Sequence, residues 1–168
     1  MPSVFGHYYE PFLGGGALFF YMRSNGLLLD NDITISDINQ RLIRTYKAVR
    51  DDVEGLIDRL SVYSLRHSKE FFYDLRAVDI DKKKSDTDVA AWMIYLNKTA
   101  FNGLYRVNKK NKFNAPFGKY KNPNICDEDN LRACSKNLQN VRIKHSYFDH
   151  MRAEIQPKDF VYFDPPYI

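Results

Sequence analysis

Three consecutive glycines, Gly14, Gly15 and Gly16, separate a short aromatic run, His7-Tyr8-Tyr9-Glu10-Pro11-Phe12, from an apolar, helix-compatible stretch between Ala17 and Met22. A strand, a glycine turn and a helix in succession aim backbone N–H groups and the positive end of a helix at one point. The missing Cβ atoms let a ligand approach the backbone there. Downstream, Asp32-Ile33-Thr34-Ile35-Ser36-Asp37 alternates apolar and polar residues, the two-residue period of a second strand. Asp37 closes that strand 21 residues after Gly16. A doubly wound α/β fold places at this point an acid that accepts hydrogen bonds from ribose hydroxyls. The same residues also suit a bare tight turn and a solvated acid capping a helix, and the motif without its context does not choose between the two.

The remaining pattern predicts one domain with an insertion. Leu42, Tyr46, Val49, Val53, Leu56 and Leu60 recur at three- and four-residue steps and predict an amphipathic helix. Further helices are expected over 68–78 and 87–98, the second capped by Thr87 or Asp86. From Ala100 to Asn124 glycine, asparagine, proline, lysine and aromatic residues follow without sustained period, which predicts a loop-rich segment containing a hairpin. Leu131, Cys134 and Leu138 fit a helix face, Asn140 to Lys144 a strand, and Phe160 to Phe163 a buried strand that stops at Asp164-Pro165-Pro166-Tyr167. The expected division is a discontinuous core, residues 1–60 and 136–168, with an insertion over 61–135. At 168 residues and 44% hydrophobic content the chain can bury a core of its own. It has no run of 18 apolar residues and no basic-then-apolar start, so a soluble, cytoplasmic protein without a membrane partner is expected. Cys126 and Cys134 lack a CxxC partner or a histidine at ligand spacing, which argues against a metal site and suits free thiols in a reducing compartment.

Charge and chemistry concentrate in two places. No Asp or Glu occurs between Val89 and Cys126, where Lys98, Arg106, Lys109, Lys110, Lys112, Lys119 and Lys121 all fall. With a net charge of +4 for the whole chain, the remainder is net acidic, so the basicity is a local patch and suggests a polyanion. Its cations are interleaved with aromatics and amides. Cations neutralise phosphates, arginine can hold guanine bidentately, asparagine can read adenine, and apolar side chains can wedge between base pairs. A solvated charged loop has the same charge but no need of the interleaved aromatics. The second place is Asp164-Pro165-Pro166-Tyr167. The exocyclic amine of adenine is a poor nucleophile because its lone pair is delocalised, and acceptors that hold its two hydrogens favour a pyramidal nitrogen. Asp164 and the carbonyl of Pro165 can accept those hydrogens, Pro166 helps to lock the turn, and Tyr167 can stack on a base drawn out of the helix. A proline-terminated strand with an aromatic plug is the plainer alternative.

Taken in order, these blocks resemble the Dam family of DNA adenine-N6 methyltransferases. Glu10-Pro11-Phe12-Leu13-Gly14-Gly15-Gly16-Ala17 is similar to the family's cofactor motif, Ser36-Asp37-Ile38-Asn39 to its ribose-binding strand end, Asn97 to Tyr120 to its target-recognition segment, and Asp164 to Tyr167 to its catalytic motif. The resemblance implies a Rossmann-type α/β fold that binds S-adenosyl-L-methionine and transfers methyl to N6 of adenine in duplex DNA by base flipping. It implies cofactor contacts from Glu10, Pro11, Phe12, Gly14, Gly15, Gly16 and Asp37, and places Phe148 and Asp149 at the cofactor adenine. In a GATC-type site Arg106 would read a guanine, with Phe101 and Leu104 wedging or packing at the duplex. Lys98, Asn102, Gly103, Asn114, Pro116, Lys119 and Tyr120 complete the expected DNA-binding set. Lys119 stands where relatives carry arginine, which leaves a point charge in place of a planar fork.

The resemblance also sets expectations about what is missing. Relatives begin with a segment holding a tryptophan and Gly-Gly-Lys, and they continue past the catalytic tetrapeptide. The sequence therefore reads as a truncated gene, an excised piece or one half of a split enzyme. On that reading the chain alone binds cofactor weakly, transfers little methyl, and self-associates through an exposed strand edge or needs a complementing chain. An inactive DNA-binding remnant and an RNA-directed methyltransferase are the rival functions.

Overall fold

The computed structural model describes residues 5–29 and 31–165. Four parallel strands form one sheet in the order β3-β2-β1-β4: β1 is Tyr8–Glu10, β2 Ile33–Asp37, β3 Arg142–His145 and β4 Phe160–Val161. α1 (Ala17–Ser24) crosses from β1 to β2, as parallel neighbours require. The order reverses at β1, because β2 and β3 extend to one side of it and β4 lies on the other. Ligands of open α/β sheets bind at such a reversal, beyond the carboxyl ends of the strands.

β2 is buried on both faces, not on one as its alternation predicted. Its polar members find partners: Thr34 Oγ1 is 2.8 Å from His7 Nε2, and the Ser36 hydroxyl lies 3.0 Å from Met151 Sδ. Burying a hydroxyl is tolerable once it is hydrogen-bonded. At the sheet edge, the expected buried strand over Phe160–Phe163 is shorter and wetter. Only Phe160 and Val161 pair with β1, both are half-buried, and Phe163 is exposed.

Between β2 and β3 lie five helices: α2 (Gln40–Asp51), α3 (Val53–Leu65), α4 (Lys69–Ala77), α5 (Asp86–Thr99) and α6 (Glu128–Leu138). The single helix expected from Leu42 to Leu60 is two, broken at Asp52, whose backbone leaves the helical region (φ −147°, ψ 51°). The Asp52 carboxylate accepts a 2.6 Å hydrogen bond from the Thr87 hydroxyl, which ties the break to α5. The cap of α5 is Ser85, not Thr87 or Asp86, with its hydroxyl accepting from the Asp88 N–H. Asp86 and Asp88 then occupy the first turn, where the helix dipole favours negative charge. α5 is buried nearly all round and packs against α2 and α3 through Val89, Ala90, Trp92, Tyr95 and Leu96. One continuous hydrophobic core runs from Tyr8 and Ile35 in the sheet to Trp92 and Leu96 in this helical layer.

The predicted hairpin is present as two antiparallel bridges, Ala100 with Phe117 and Val107 with Phe113. Among the described residues, no helix is long and apolar enough to cross a membrane.

Candidate functional site

The chain leaves β1 in a turn that needs glycine. Gly14 and Gly16 have φ of 49° and 65°, in the left-handed region, and a Cβ on Gly16 would sit 3.2 Å from the Tyr46 hydroxyl and 3.3 Å from Leu13. The turn is spliced to β2, since the Leu13 N–H donates to the Ser36 carbonyl and the Gly14 N–H to Asp37 Oδ2, each at 3.0 Å. Asp37 Oδ1 accepts from the Asn39 N–H at 2.8 Å, and the Asn39 side chain in turn caps α2. From α2 the Tyr46 hydroxyl donates to the Gly14 carbonyl at 2.9 Å. The turn and the acid are therefore one hydrogen-bonded unit, with lone pairs on both Asp37 oxygens left over.

Glu10 ends β1 with its carboxylate buried, and it accepts a 2.6 Å hydrogen bond from the Tyr8 hydroxyl. Burial pushes its pKa above the usual carboxylate range. The bonds from Tyr8 and from the Phe19 N–H in the first turn of α1 pull it back, and the neighbouring Asp164 charge pushes it up again.

These groups line a cavity of about 750 Å³. Of the residues expected at the cofactor, Glu10, Phe12, Gly14, Gly15, Gly16 and Asp37 face it; Pro11 is buried without lining it. Phe148 is not on the wall, but its ring lies 5.3 Å from that of Phe12, and Phe163 stands 6.4 Å from both. Asp149 is exposed on the 3-10 turn Phe148–Met151 and does not line the cavity. Asp164 does, coming from the far side of the order reversal. Pro165 is exposed beside it, and Pro166 and Tyr167 lie outside the described residues.

The opposite wall comes from the helical layer. Leu42, Thr45 and Tyr46 of α2, Met93, Ile94, Asn97 and Lys98 of α5, and Tyr105 complete it. Asn97, Lys98 and Tyr105 fall in the segment read from the sequence as recognising DNA; Leu42, Tyr46, Met93 and Ile94 have no place in the site on the sequence reading, because apolar residues at helical spacing read as core.

Beyond Lys98 the recognition segment projects as an exposed layer. Phe101 and Leu104 are large apolar side chains left half in solvent, with Asn102 and Gly103 between them at φ of 52° and 61°. The Asn97 amide donates to the Gly103 carbonyl at 2.8 Å and fixes that turn to α5. Across the hairpin, Arg106 donates through Nε to Asn114 Oδ1 (2.8 Å) and through Nη2 to the Asn114 carbonyl (3.0 Å). The guanidinium is thereby held flat at the surface. Pro116 accepts from the Phe101 N–H, and Lys119 and Tyr120 follow, all three exposed. The structure thus gathers the two ends of the predicted set, Lys98–Arg106 and Asn114–Tyr120, through the Ala100–Phe117 bridge.

A parallel sheet reversing at β1, a glycine turn leading into a helix, and an acid at the end of β2 define an α/β protein of the Rossmann type. The chain belongs to the D12 class N6 adenine-specific DNA methyltransferases, whose family model matches residues 1–168. It is 43% identical to the type II methyltransferase M1.LlaDCHI of Lactococcus lactis subsp. cremoris over all of this chain and 59% of that protein. It is 47% identical to the type II methyltransferase M.MjaIII of Methanocaldococcus jannaschii over 95% of this chain and 58% of that protein. The DNA adenine methylase of Escherichia coli K12 is 29% identical over 94% of the chain and 55% of its own length. The chain thus spans somewhat under two thirds of the length of these relatives.

Proposed function

We propose that this protein transfers a methyl group from S-adenosyl-L-methionine to N6 of adenine in duplex DNA, within a GATC-type site, on a base drawn out of the helix. The observation that carries the reading is that Asp164 shares one cavity with the glycine turn and Asp37, while Lys98 and Tyr105, which line that cavity too, lead into the basic hairpin. When bound, the cofactor supplies an electrophilic methyl on a positively charged sulfur.

The chain's own groups suit that guest. The turn's backbone and the N-terminus of α1 take its polar end, Asp37 accepts from ribose hydroxyls, and Phe12, backed by Phe148, gives the adenine an apolar surface. Glu10 and Asp164 give the cavity the negative charge that a cationic ligand favours. Asp164 accepts one hydrogen of the target amine, the Pro165 carbonyl the other, and Tyr167 stacks on the flipped base. The amine nitrogen then keeps its lone pair directed at the methyl. Phe101 and Leu104 fill the space the base leaves, and Arg106 reads an adjacent guanine. The test is methyl incorporation from labelled cofactor into a GATC duplex, a scrambled duplex and single-stranded RNA. Equal incorporation into all three, or none into the first, overturns the reading.

Two outcomes follow for the cofactor wall. Gly15 lines the cavity, and a Cβ built there meets nothing within 4 Å, so Gly15→Ala should leave the unfolding midpoint within the ordinary surface range of about 0.5 kcal/mol yet weaken cofactor binding. Gly16→Ala should instead destabilise the fold by about 1–3 kcal/mol through its positive φ and crowded Cβ. Calorimetric titration beside thermal unfolding separates them, and the same effect from both substitutions would remove the distinction.

The second outcome concerns pH. A cation bound beside Glu10 favours its ionised form, whereas burial holds its pKa above the usual carboxylate range. Binding should therefore release a proton from Glu10, and affinity should rise as pH climbs from the ordinary carboxylate range through that raised value. Binding heats measured in buffers of different ionisation enthalpy read the proton directly. Glu10→Gln should abolish the release, and uptake in place of release would contradict the assignment.

A further inference from the structure

We infer that Arg41, which touches neither the expected cofactor position nor the exposed face of the hairpin, is a positioning residue for sequence discrimination. The inference rests on the proposal that the hairpin reads duplex DNA. Arg41 lies in the first turn of α2 and is 6% exposed. Its Nε and Nη2 donate to the two carboxylate oxygens of Asp81 at 2.8 and 2.6 Å. Nη2 donates again to the Asn111 carbonyl at 2.6 Å, Nη1 reaches the Tyr105 hydroxyl at 3.4 Å, and the guanidinium lies 5.3 Å from the centre of the Trp92 ring.

These contacts join the cavity wall to the tip of the hairpin. On one side, the Arg41 N–H donates to Asn39, the cap of α2, next to Asp37 on the cavity wall. On the other, Asn111 is the tip of the hairpin, where Asn108 Oδ1 gathers the Lys110 and Lys112 N–H groups. The tip carries Lys109, Lys110 and Lys112, all exposed, whose like charges repel. The buried Phe113 and the bond from Arg41 to Asn111 tie that tip to the interior. Tyr105, one residue before Arg106, lines the cavity and meets the same guanidinium. A planar fork that holds a carboxylate, a carbonyl and a hydroxyl at once fixes the hairpin's height over the cavity, which a lysine cannot do. Arg41 is buried but its partner Asp81 is half exposed, so the pair adds little stability and is better suited to specifying a geometry.

The experiment uses fluorescence anisotropy at one fixed salt concentration, with a GATC duplex and a scrambled duplex, on the wild-type chain and Arg41→Lys. Amide hydrogen exchange over 105–114 and over 14–20 is followed in parallel. Arg41→Lys should lower affinity for the GATC duplex about tenfold and leave the scrambled duplex within about twofold, a loss of discrimination at constant charge. Exchange should quicken over 105–114 and not over 14–20. Asp81→Asn, which leaves Arg41 and its bonds to Asn111 and Tyr105 in place, should show the same trend more weakly and replaces the lysine variant should that one not fold. Discrimination that survives in the folded variants, or equal losses on both duplexes, overturns the inference alone. A wild-type chain that binds both duplexes equally overturns the functional reading, and this inference with it.

Discussion

Asp164→Ala should lower methyl transfer to a GATC duplex on the order of 10³-fold while duplex affinity stays within a few-fold. The carboxylate lies on the cavity wall beyond β4, apart from the basic hairpin, so it holds no phosphate. On the proposed mechanism its worth is realised as the amine nitrogen becomes pyramidal, and an interaction stronger in the transition state than in the ground state changes kcat more than KM. Asp164→Asn is the sharper comparison, because the amide keeps the shape and one acceptor but loses the charge. Single-turnover transfer measured beside anisotropy gives both quantities. Transfer near the wild-type rate in either variant removes Asp164 from the reaction.

Arg106→Ala should cost about 1–3 kcal/mol on the GATC duplex and little on scrambled DNA, whereas Lys110→Ala should weaken every duplex alike and reduce the salt slope by about 1. The contrast follows from how each side chain is held. Arg106 is pinned by two hydrogen bonds to Asn114, so on the proposed reading its free edge would meet a base at a fixed angle; Lys110 stands in solvent at the hairpin tip. A pinned fork reads, and a loose point charge only attracts. Affinities across a salt series, with base-pair substitutions at each site position, distinguish the two. Identical profiles for both variants would mean that Arg106 also serves only the phosphates.

Much of this arrangement is legible in the sequence where its cause is local. The strand, turn and helix at Tyr8–Ser24 and the acid at Asp37 announce themselves because glycine conformation and a two-residue period act over a few neighbours. The break at Asp52 does not. Val49, Val53 and Leu56 keep helical spacing straight through it, and its partner Thr87 is 35 residues away. Arg41 is hidden for the same reason, since a cation in a polar helix reads as solvated until Asp81, Asn111 and Trp92 close around it. The far wall of the cavity is harder still. Leu42, Met93 and Ile94 are apolar whether they face a core or a ligand, and only the relative placement of α2 and α5 decides which. Thr34 and Ser36 reverse the case, as polar residues that signalled solvent and are buried.

The separation of β2 from β3 has a consequence for how the molecule comes together. These two strands are neighbours in the sheet, yet five helices and the hairpin lie between them in the chain. Pairing them closes a loop whose entropy must be surrendered before the contacts give any return, and β4 must then travel back to β1 across almost the entire length. The contact of α2 with α5 in the helical layer spans a shorter stretch of chain than the pairing of β2 with β3. The cavity wall that Asp164 supplies therefore depends on the pairing in the described sheet that joins the most distant parts of the chain.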